Sequence, residues 1–508
     1  MADHHQKQDY SVSNEQHRNG YSEEYAVRCA KVNKLRISGI DPWPANIPLN
    51  SNALQIAQEF AQQAGIKHYD IGGRLLSIRE HGKSIFATML DRTGTIQLYF
   101  KEDKIGIDHF TIFKNMIDIG DIIWVSGTSF LTKKGELTID VQTFHLLSKC
   151  LHPLPEKFHG LVDVELKQRY RYLDLMTSKE SRNRFVMRSQ IVQTVREQLL
   201  KNDFLEVETP MLHSIPGGAA AKPFKTHHNA LSMDLFLRIA PELFLKRLVI
   251  GGFERVFEIN RCFRNEGIST RHNPEFTSVE YYIAYHDYIF MMDLTESIIK
   301  AAVEKIHNGT MSISYQSYII DFAKPFARVS MLDAVAQAVG KTVEFIEYDS
   351  LQELCKQHDI YLTSEQQSWG FRLYGLFEKL VEPHLIQPTF ITHFPVEVSP
   401  LAKRNPLNHK LVDRFELFIA HMELSNGFTE LNDPADQAER FSQQAKQRVG
   451  GDEEAHYYDE EFVLALEHAM PPTVGAGIGI DRLVMVLTNT PSIRDIILFP
   501  THKHVLKQ

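Results

Sequence analysis

The sequence predicts an α+β protein in two parts: a small barrel of short strands, then a larger domain with helices flanking an antiparallel sheet. Three observations predict this. Between Tyr69 and Ser148, five short β-runs are separated by glycines and charged turns. From about residue 179, strands are separated by long helical stretches. Residues 253–285 read as two alternating strands joined by a charged loop, a close hairpin suited to an antiparallel sheet. A chain of 508 residues is also too long for one ordinary core, so two or more domains are expected.

In chain order, residues 1–20 are polar and expected to be disordered. Residues 21–37 have the pattern of a short amphipathic helix, which SGIDPWPANIPLNSN breaks with its prolines; a second helix is expected over 51–64, so that 21–66 forms an N-terminal helical segment. The β-runs IGGRLLSIRE, SIFATMLDR, TIQLYF, IIWVSGTSF and ELTIDVQTFHLLS fill 67–149. Five strands in so short a span suit a closed barrel of the OB type, which often binds single-stranded nucleic acid. CLHPLPEKFHG has the prolines of a linker, placed over 150–178, and a helix at 179–201 opens the large domain, 179–505. Residues 286–390 look mostly helical and show no chemistry.

Composition narrows the class. With 43% hydrophobic and 23% charged residues the chain reads as ordinary and globular. No apolar run approaches a membrane span, so no membrane partner is expected. The N-terminus has no apolar signal core, and its acidic residues argue against a transit peptide. Cys29, Cys150, Cys262 and Cys355 are far apart, which suggests neither a disulfide framework nor a zinc site, and a reducing cytoplasm is the simplest home. The net charge of −9 argues weakly against nucleic acid, although phosphate contacts need only local cations. Arg28, Lys31, Lys34 and Arg36 fall in one helix, either as a solvated face or as such a patch.

The hairpin is the most informative stretch. On its first strand Val256, Glu258, Asn260, Cys262 and Arg264 share a face; on its second, Phe276, Ser278, Glu280 and Tyr282 do. The loop adds Glu266, Arg271 and His272. Arginine, ring and carboxylate together suit a ligand with phosphate, a flat base and a cation. Periodicity alone favours the plainer reading, a half-buried hairpin with ordinary polar loop residues.

FRNEG followed by RHNPEFT resembles motif 2 of the class II aminoacyl-tRNA synthetases. GAGIGIDRLVM at 475–485 resembles their motif 3, and the helix before FLEVETPML (204–212) resembles motif 1, in the family's order. RIAPELFLKRLVIGGFERVFEI, FPVEVSPLAKRNP and ELSNGFTELNDP narrow the resemblance, within the aspartyl/asparaginyl/lysyl subgroup, to the lysyl-tRNA synthetases, from about residue 60 almost to the C-terminus. The resemblance implies a lysine–tRNA ligase using ATP and magnesium, with tRNA(Lys) as partner, no zinc, and a homodimer built on motif 1.

It also implies roles residue by residue. Arg264 matches the motif 2 arginine at the α-phosphate and substrate carboxylate, and Arg482 the motif 3 arginine at the γ-phosphate. Phe276 matches the ring that stacks on adenine, with Glu266 and His272 beside the nucleotide. Glu416 and Glu423 match a magnesium-binding pair; seven apart, they fall on opposite faces of one straight strand and converge only if a turn lies between them. Gly218, Glu242, Glu280, Tyr282, Asn426, Phe428 and Glu430 match the lysine pocket. Arg79, Phe86 and Gln97 match the reader of the central anticodon base.

The chemistry agrees with these roles. Amino-acid activation joins an anion to a phosphate, which calls for positioning and charge neutralisation ahead of a nucleophilic triad. A lysine substrate needs carboxylates for its side-chain ammonium and apolar walls for its methylenes. The first rival is an aspartate or asparagine ligase; the acidic pocket argues against it, since a pocket for aspartate would need an arginine or lysine at its end. A non-catalytic tRNA-binding paralogue has no need of the arginines and acidic pair, and a lysine ligase acting on protein has no use for an anticodon barrel.

Overall fold

The computed structural model describes residues 23–503 other than 46, 63–66, 155–162, 350, 364–365, 450–454 and 456. The tail expected to be disordered lies outside them. The chain divides into two compact units, residues 1–161 and 162–508. No helix among the described residues is long and apolar enough to cross a membrane.

In the first unit, β1 (His68–His81), β2 (Ser84–Leu90), β3 (Thr95–Lys101), β4 (Ile122–Leu131) and β5 (Leu137–Ser148) close into a barrel in the order β1-β2-β3-β5-β4. Alternation sets its two sides. Ile85, Ala87 and Met89 of β2 point into the core and leave Phe86 and Thr88 outside. Helix Ile107–Met116, between β3 and β4, stacks Phe113 on Phe100 in the same core.

Helices Glu23–Ile37 and Ala53–Ala61 precede the barrel; Asn52 caps the second by accepting the Gln55 N–H. The basic stretch resolves into two behaviours. Arg28 is buried and donates to the carbonyls of Ile119 and Cys150, and Lys31 meets Asp118 at 2.6 Å, so both seat the helix on the barrel. Lys34 and Arg36 stay exposed.

The segment 150–178, expected to be a linker, instead carries helices Val164–Arg169 and Arg171–Thr177. Arg171 is 1% exposed; it donates to the carbonyls of Leu498 and Arg494 and pairs with Asp174. A buried guanidinium needs such partners, and the ones that hold it come from the far end of the chain. These helices therefore belong to the second unit.

That unit centres on an eight-stranded sheet. Its strands are β6 (Leu205–Glu206), β10 (Arg255–Phe263), β11 (Glu275–Ala284), β14 (Ala327–Ser330), β15 (Thr389–Thr392), β16 (Arg414–Ile419), β17 (Met422–Thr429) and β18 (Thr473–Gly479), in the order β14-β15-β16-β17-β18-β11-β10-β6. Only the outer pairs β14/β15 and β10/β6 are parallel. Small sheets of β7 (Leu212–His213), β8 (Lys225–His228) and β9 (Met233–Leu237), and of β12 (Ser312–Tyr315) and β13 (Tyr318–Asp321), flank it. Helices Lys179–Lys201, Tyr288–Ile306 and Ile480–Leu487 bury Ile191, Ile298 and Val484 in one core with Phe257, Val279 and Tyr281 of the sheet. The other sheet face is left to line a cavity. The segment 286–390 is helical as expected but also supplies β12, β13 and the edge strand β14.

Candidate active site

The hairpin forms in the register that its alternation implies. Glu258 pairs with Glu280, Asn260 with Ser278 and Cys262 with Phe276, so both predicted polar faces become one face. Arg264 lies just past β10, its N–H bonded to the Pro274 carbonyl at 2.8 Å, and its guanidinium stands 5.0 Å from the Phe276 ring.

Strand β18 pairs with β11 and β17 at once. Gly475 lies opposite Tyr282 and Phe428; Gly477 lies opposite Glu280 and Asn426. A Cβ at Gly475 would overlap the Tyr282 ring and the Glu430 carboxylate, so the missing side chain makes room for the site. Gly218, at φ +89°, brings its backbone against Ala240 and Glu242, a conformation that favours glycine.

The result is a cavity of about 980 Å³. Gly218, Glu242, Arg264, Glu266, His272, Phe276, Glu280, Tyr282, Glu423, Asn426, Phe428, Glu430 and Arg482 all line it. Glu416 does not: its carboxylate is buried in an ion pair with Arg414, and it is Arg414 that reaches the cavity.

Arg482 enters from the first turn of helix Ile480–Leu487. It donates to the Glu423 carbonyl at 2.6 Å, meets the Glu423 carboxylate at 3.3 Å, and lies 3.3 Å from His272 Nε2. Burial and then the Arg482 charge pull the His272 imidazole below its usual value. Asp481 accepts the Thr277 N–H at 2.7 Å and Arg188 at 2.5 Å, which ties this helix to β11.

A turn through Ala420 and His421, both at positive φ, does separate Glu416 from Glu423. A bulge adds to it: Leu417 pairs with Ser425, yet Phe418 pairs with Glu423, which leaves Leu424 unmatched. Glu423 thereby shares the face of Glu416, while Asn426 and Phe428 beyond the bulge share it too. Burial and the neighbouring Glu423 raise the Glu416 carboxyl to about 8 even with Arg414 beside it. Among the described residues no group of three or more His, Cys, Asp or Glu side chains is arranged to hold a metal ion.

The deep end holds three carboxylates. Glu280 accepts from the Tyr282 hydroxyl at 3.1 Å; burial, then the like charge of Glu242, pushes it up to about 8. Glu242 and Glu430 both contact Lys246, a residue that sequence reasoning did not single out. Arg414, which holds Asn426 at 3.1 Å, was missed in the same way.

In the barrel, Arg79 pairs with Phe86 across β1 and β2, and Phe86 with Tyr99 across β2 and β3. Phe86 and Tyr99 stand 4.7 Å apart and Tyr99 and Phe130 6.1 Å, an outer aromatic row longer than the single ring anticipated. Gln97, two residues before Tyr99, shares that side but is buried, its amide donating to Thr138 at 3.0 Å. The signal for Tyr99 was present in that i, i+2 spacing.

Comparison with known proteins follows the two units. Residues 163–503 match the family model of class II tRNA synthetases (D, K and N), and residues 69–147 match the OB-fold nucleic acid binding domain. The chain is 52% identical over 475 residues to a lysine–tRNA ligase of Carboxydothermus hydrogenoformans, covering 93% of this chain and 96% of the relative. It is 50% identical over 501 residues to that of Listeria monocytogenes, covering 97% and 100%. For the Staphylococcus epidermidis protein of the same name the identity is 48% over 490 residues, covering 94% and 98%. The chain belongs to the class II tRNA synthetases, in the lysine–tRNA ligase family.

Proposed function

We propose that this class II synthetase is a lysine–tRNA ligase whose lysine, nucleotide and tRNA sites are the residues described above. The observation that carries the reading is the three-carboxylate end of a cavity whose other end holds Arg264 and Arg482. A carboxylate oxygen of L-lysine attacks the α-phosphorus of ATP; the bond to pyrophosphate breaks, and lysyl-adenylate remains. The 3′-terminal hydroxyl of tRNA(Lys) then attacks the acyl carbon, its proton is lost, and AMP leaves.

Each side chain has a task that its place supports. Arg264 neutralises charge between the lysine carboxylate and the α-phosphate, and Arg482 does so at the γ-phosphate. Phe276 gives the adenine a face, with Glu266 and His272 at its edge. Glu242, Glu280 and Glu430 take the ammonium groups; Tyr282, Asn426 and Phe428 shape the wall, and Gly218 lets the loop close over the substrate. Magnesium commonly takes one or two carboxylates and fills its sphere with phosphates and water. Glu423 at the cavity and Glu416 beside it fit that small donor set; burial first, and then repulsion from Glu423 that a cation would relieve, raises the Glu416 carboxyl. The ion would offset charge on the transferring phosphates.

Arg79, Phe86 and Gln97 are proposed to read the anticodon from the barrel, by stacking and edge hydrogen bonds. A homodimer on motif 1 is supported by exposed Val186, Leu205, Met211 and Leu212 on that helix and the strands after it. The four free thiols fit a cytoplasmic location. ATP–pyrophosphate exchange with a panel of amino acids tests the reading: lysine-dependent exchange is expected, and exchange driven by aspartate or by none of them rejects it. Light scattering is expected to give twice the chain mass.

A further inference from the structure

Helix Glu242–Ile250 presents Glu242 and Lys246 from one face, four residues apart. The Lys246 side chain is 1% exposed; its Nζ lies 2.6 Å from Glu242 and in ion-pair contact with Glu430. The rings of Phe428 and Phe462 stand 5.2 and 5.9 Å from it. Two carboxylates and two aromatic faces hold this ammonium in its charged form.

A lysine that merely neutralised one buried acid would need one partner. Lys246 touches two, and both line the cavity. Glu280, on the same cavity wall, has the Tyr282 hydroxyl as its hydrogen-bond partner and no ion-pair partner among the described residues. Glu430 meets Lys246 but makes no hydrogen bond of good geometry through either oxygen. With all three carboxylates ionised, as a bound dication requires, one fixed ammonium leaves two negative charges for the substrate to match. Free L-lysine carries two ammonium groups, and its carboxylate belongs at the Arg264 end.

We propose that Lys246 is a resident counter-ion that sets the charge count of the amino-acid pocket, so that a substrate bringing two ammonium groups neutralises the site and one bringing a single ammonium does not. This rests on the lysine–tRNA ligase reading. Lys246 is then a positioning and specificity residue, acting through Glu242 and Glu430 without touching substrate. An amino acid with only its α-ammonium leaves one buried carboxylate uncompensated, the costly case for an ion in a low-dielectric site. Without Lys246, Glu242 and Glu430 would lose the ammonium that fixes them, and a third uncompensated carboxylate would repel the other two from their places at the substrate.

The test uses the full-length protein in lysine-dependent ATP–pyrophosphate exchange. Absence of exchange by the unsubstituted protein defeats the ligase reading and this inference with it. Given exchange, Lys246→Met keeps the chain length and removes the charge. It is expected to raise the lysine KM about thirtyfold or more while the ATP KM moves by less than about twofold. The double variant Lys246→Met/Glu430→Gln again leaves two carboxylates and replaces a buried ion pair by neutral groups, a change that folds tolerate. Its lysine KM is expected to fall below that of the single variant. An unchanged lysine KM in the single variant overturns the proposal. So does a joint rise of lysine and ATP KM, or a double variant poorer than the single. Should the single variant fail to fold, the double is compared with Glu430→Gln alone: a lower lysine KM in the double supports the counter-ion, and an equal or higher one overturns it.

Discussion

Each unit buries one lysine between two carboxylates, and the two clusters have opposite uses. In the barrel unit, Lys149 Nζ lies 2.5 Å from Asp118, 2.7 Å from Asp121 and 2.6 Å from the Met116 carbonyl. Asp121 also accepts the backbone N–H groups of Asp118 and Cys150 at 2.8 Å, and Lys31 completes Asp118. The cluster ties the start of β4, the end of β5 and the N-terminal helix together. Around Lys246 the carboxylates outnumber the donors and face a cavity. A saturated ion cluster is a structural clasp. One left short of donors, beside open space, is a receptor for a cation.

The sharpest break in this comparison lies at the phosphate end of the cavity. Arg264→Ala or Arg482→Ala is expected to cut lysyl-adenylate formation on the order of 10³-fold or more while tRNA binding persists. Near-normal exchange by either variant removes that arginine from its role. Next, Lys149→Met leaves the buried Asp121 without its cation while Asp118 keeps Lys31, and should destabilise its unit by about 3–5 kcal/mol in denaturant titration. The lysine KM of the folded variant should not move; a shift there would mean that the two clusters do not differ as described.

Glu280→Gln probes the unsaturated cluster directly. The loss of lysine affinity is expected to be about 2–5 kcal/mol with ATP binding retained. Equal lysine affinity in a folded variant would remove Glu280 from the pocket. Phe86→Ala on the barrel should weaken use of tRNA(Lys) by about 1–3 kcal/mol and spare exchange without tRNA. If both fall together, the aromatic row supports the barrel and reads nothing.

The smallest effect is set by pH. Glu280 is raised to about 8 in the unliganded pocket and binds an ammonium in its ionised form. Below that value a proton must leave before lysine binds, so affinity should rise with pH, about tenfold per unit between 6 and 7, and flatten above 8. The ε-ammonium of lysine stays charged throughout. Calorimetry across that range checks the slope, and a flat profile would mean that Glu280 is ionised before lysine arrives.

Much of this was legible in the residues. Alternation along 253–285 placed Glu280, Tyr282 and Phe276 on one face with Cys262, and β10 and β11 pair in that register. The dense β-runs after Tyr69 foretold a closed barrel, and the prolines after Ser38 ended the first helix. Other features depend on partners distant in sequence. Arg171 looks like any helical arginine until carbonyls more than 300 residues later enclose it. Lys246 looks solvated until β17 and its flank bring Phe428 and Glu430 over it. The bulge at Leu424 carries no distinct residue pattern, yet it decides which faces Glu423 and Asn426 take.

The sequence by itself determined the class of each element, the family through its ordered motifs, and which residue types could meet phosphate, base and ammonium. Side-chain period and turn chemistry are local, so a linear string carries them. Only the tertiary structure decided the charge count of the pocket, the absence of Glu416 from the cavity wall, and the difference between Lys149 and Lys246. Those depend on burial and on how many donors reach each carboxylate. A carboxylate's field and its hydrogen-bond supply are set by whatever the fold packs around it, at separations along the chain that no local pattern encodes.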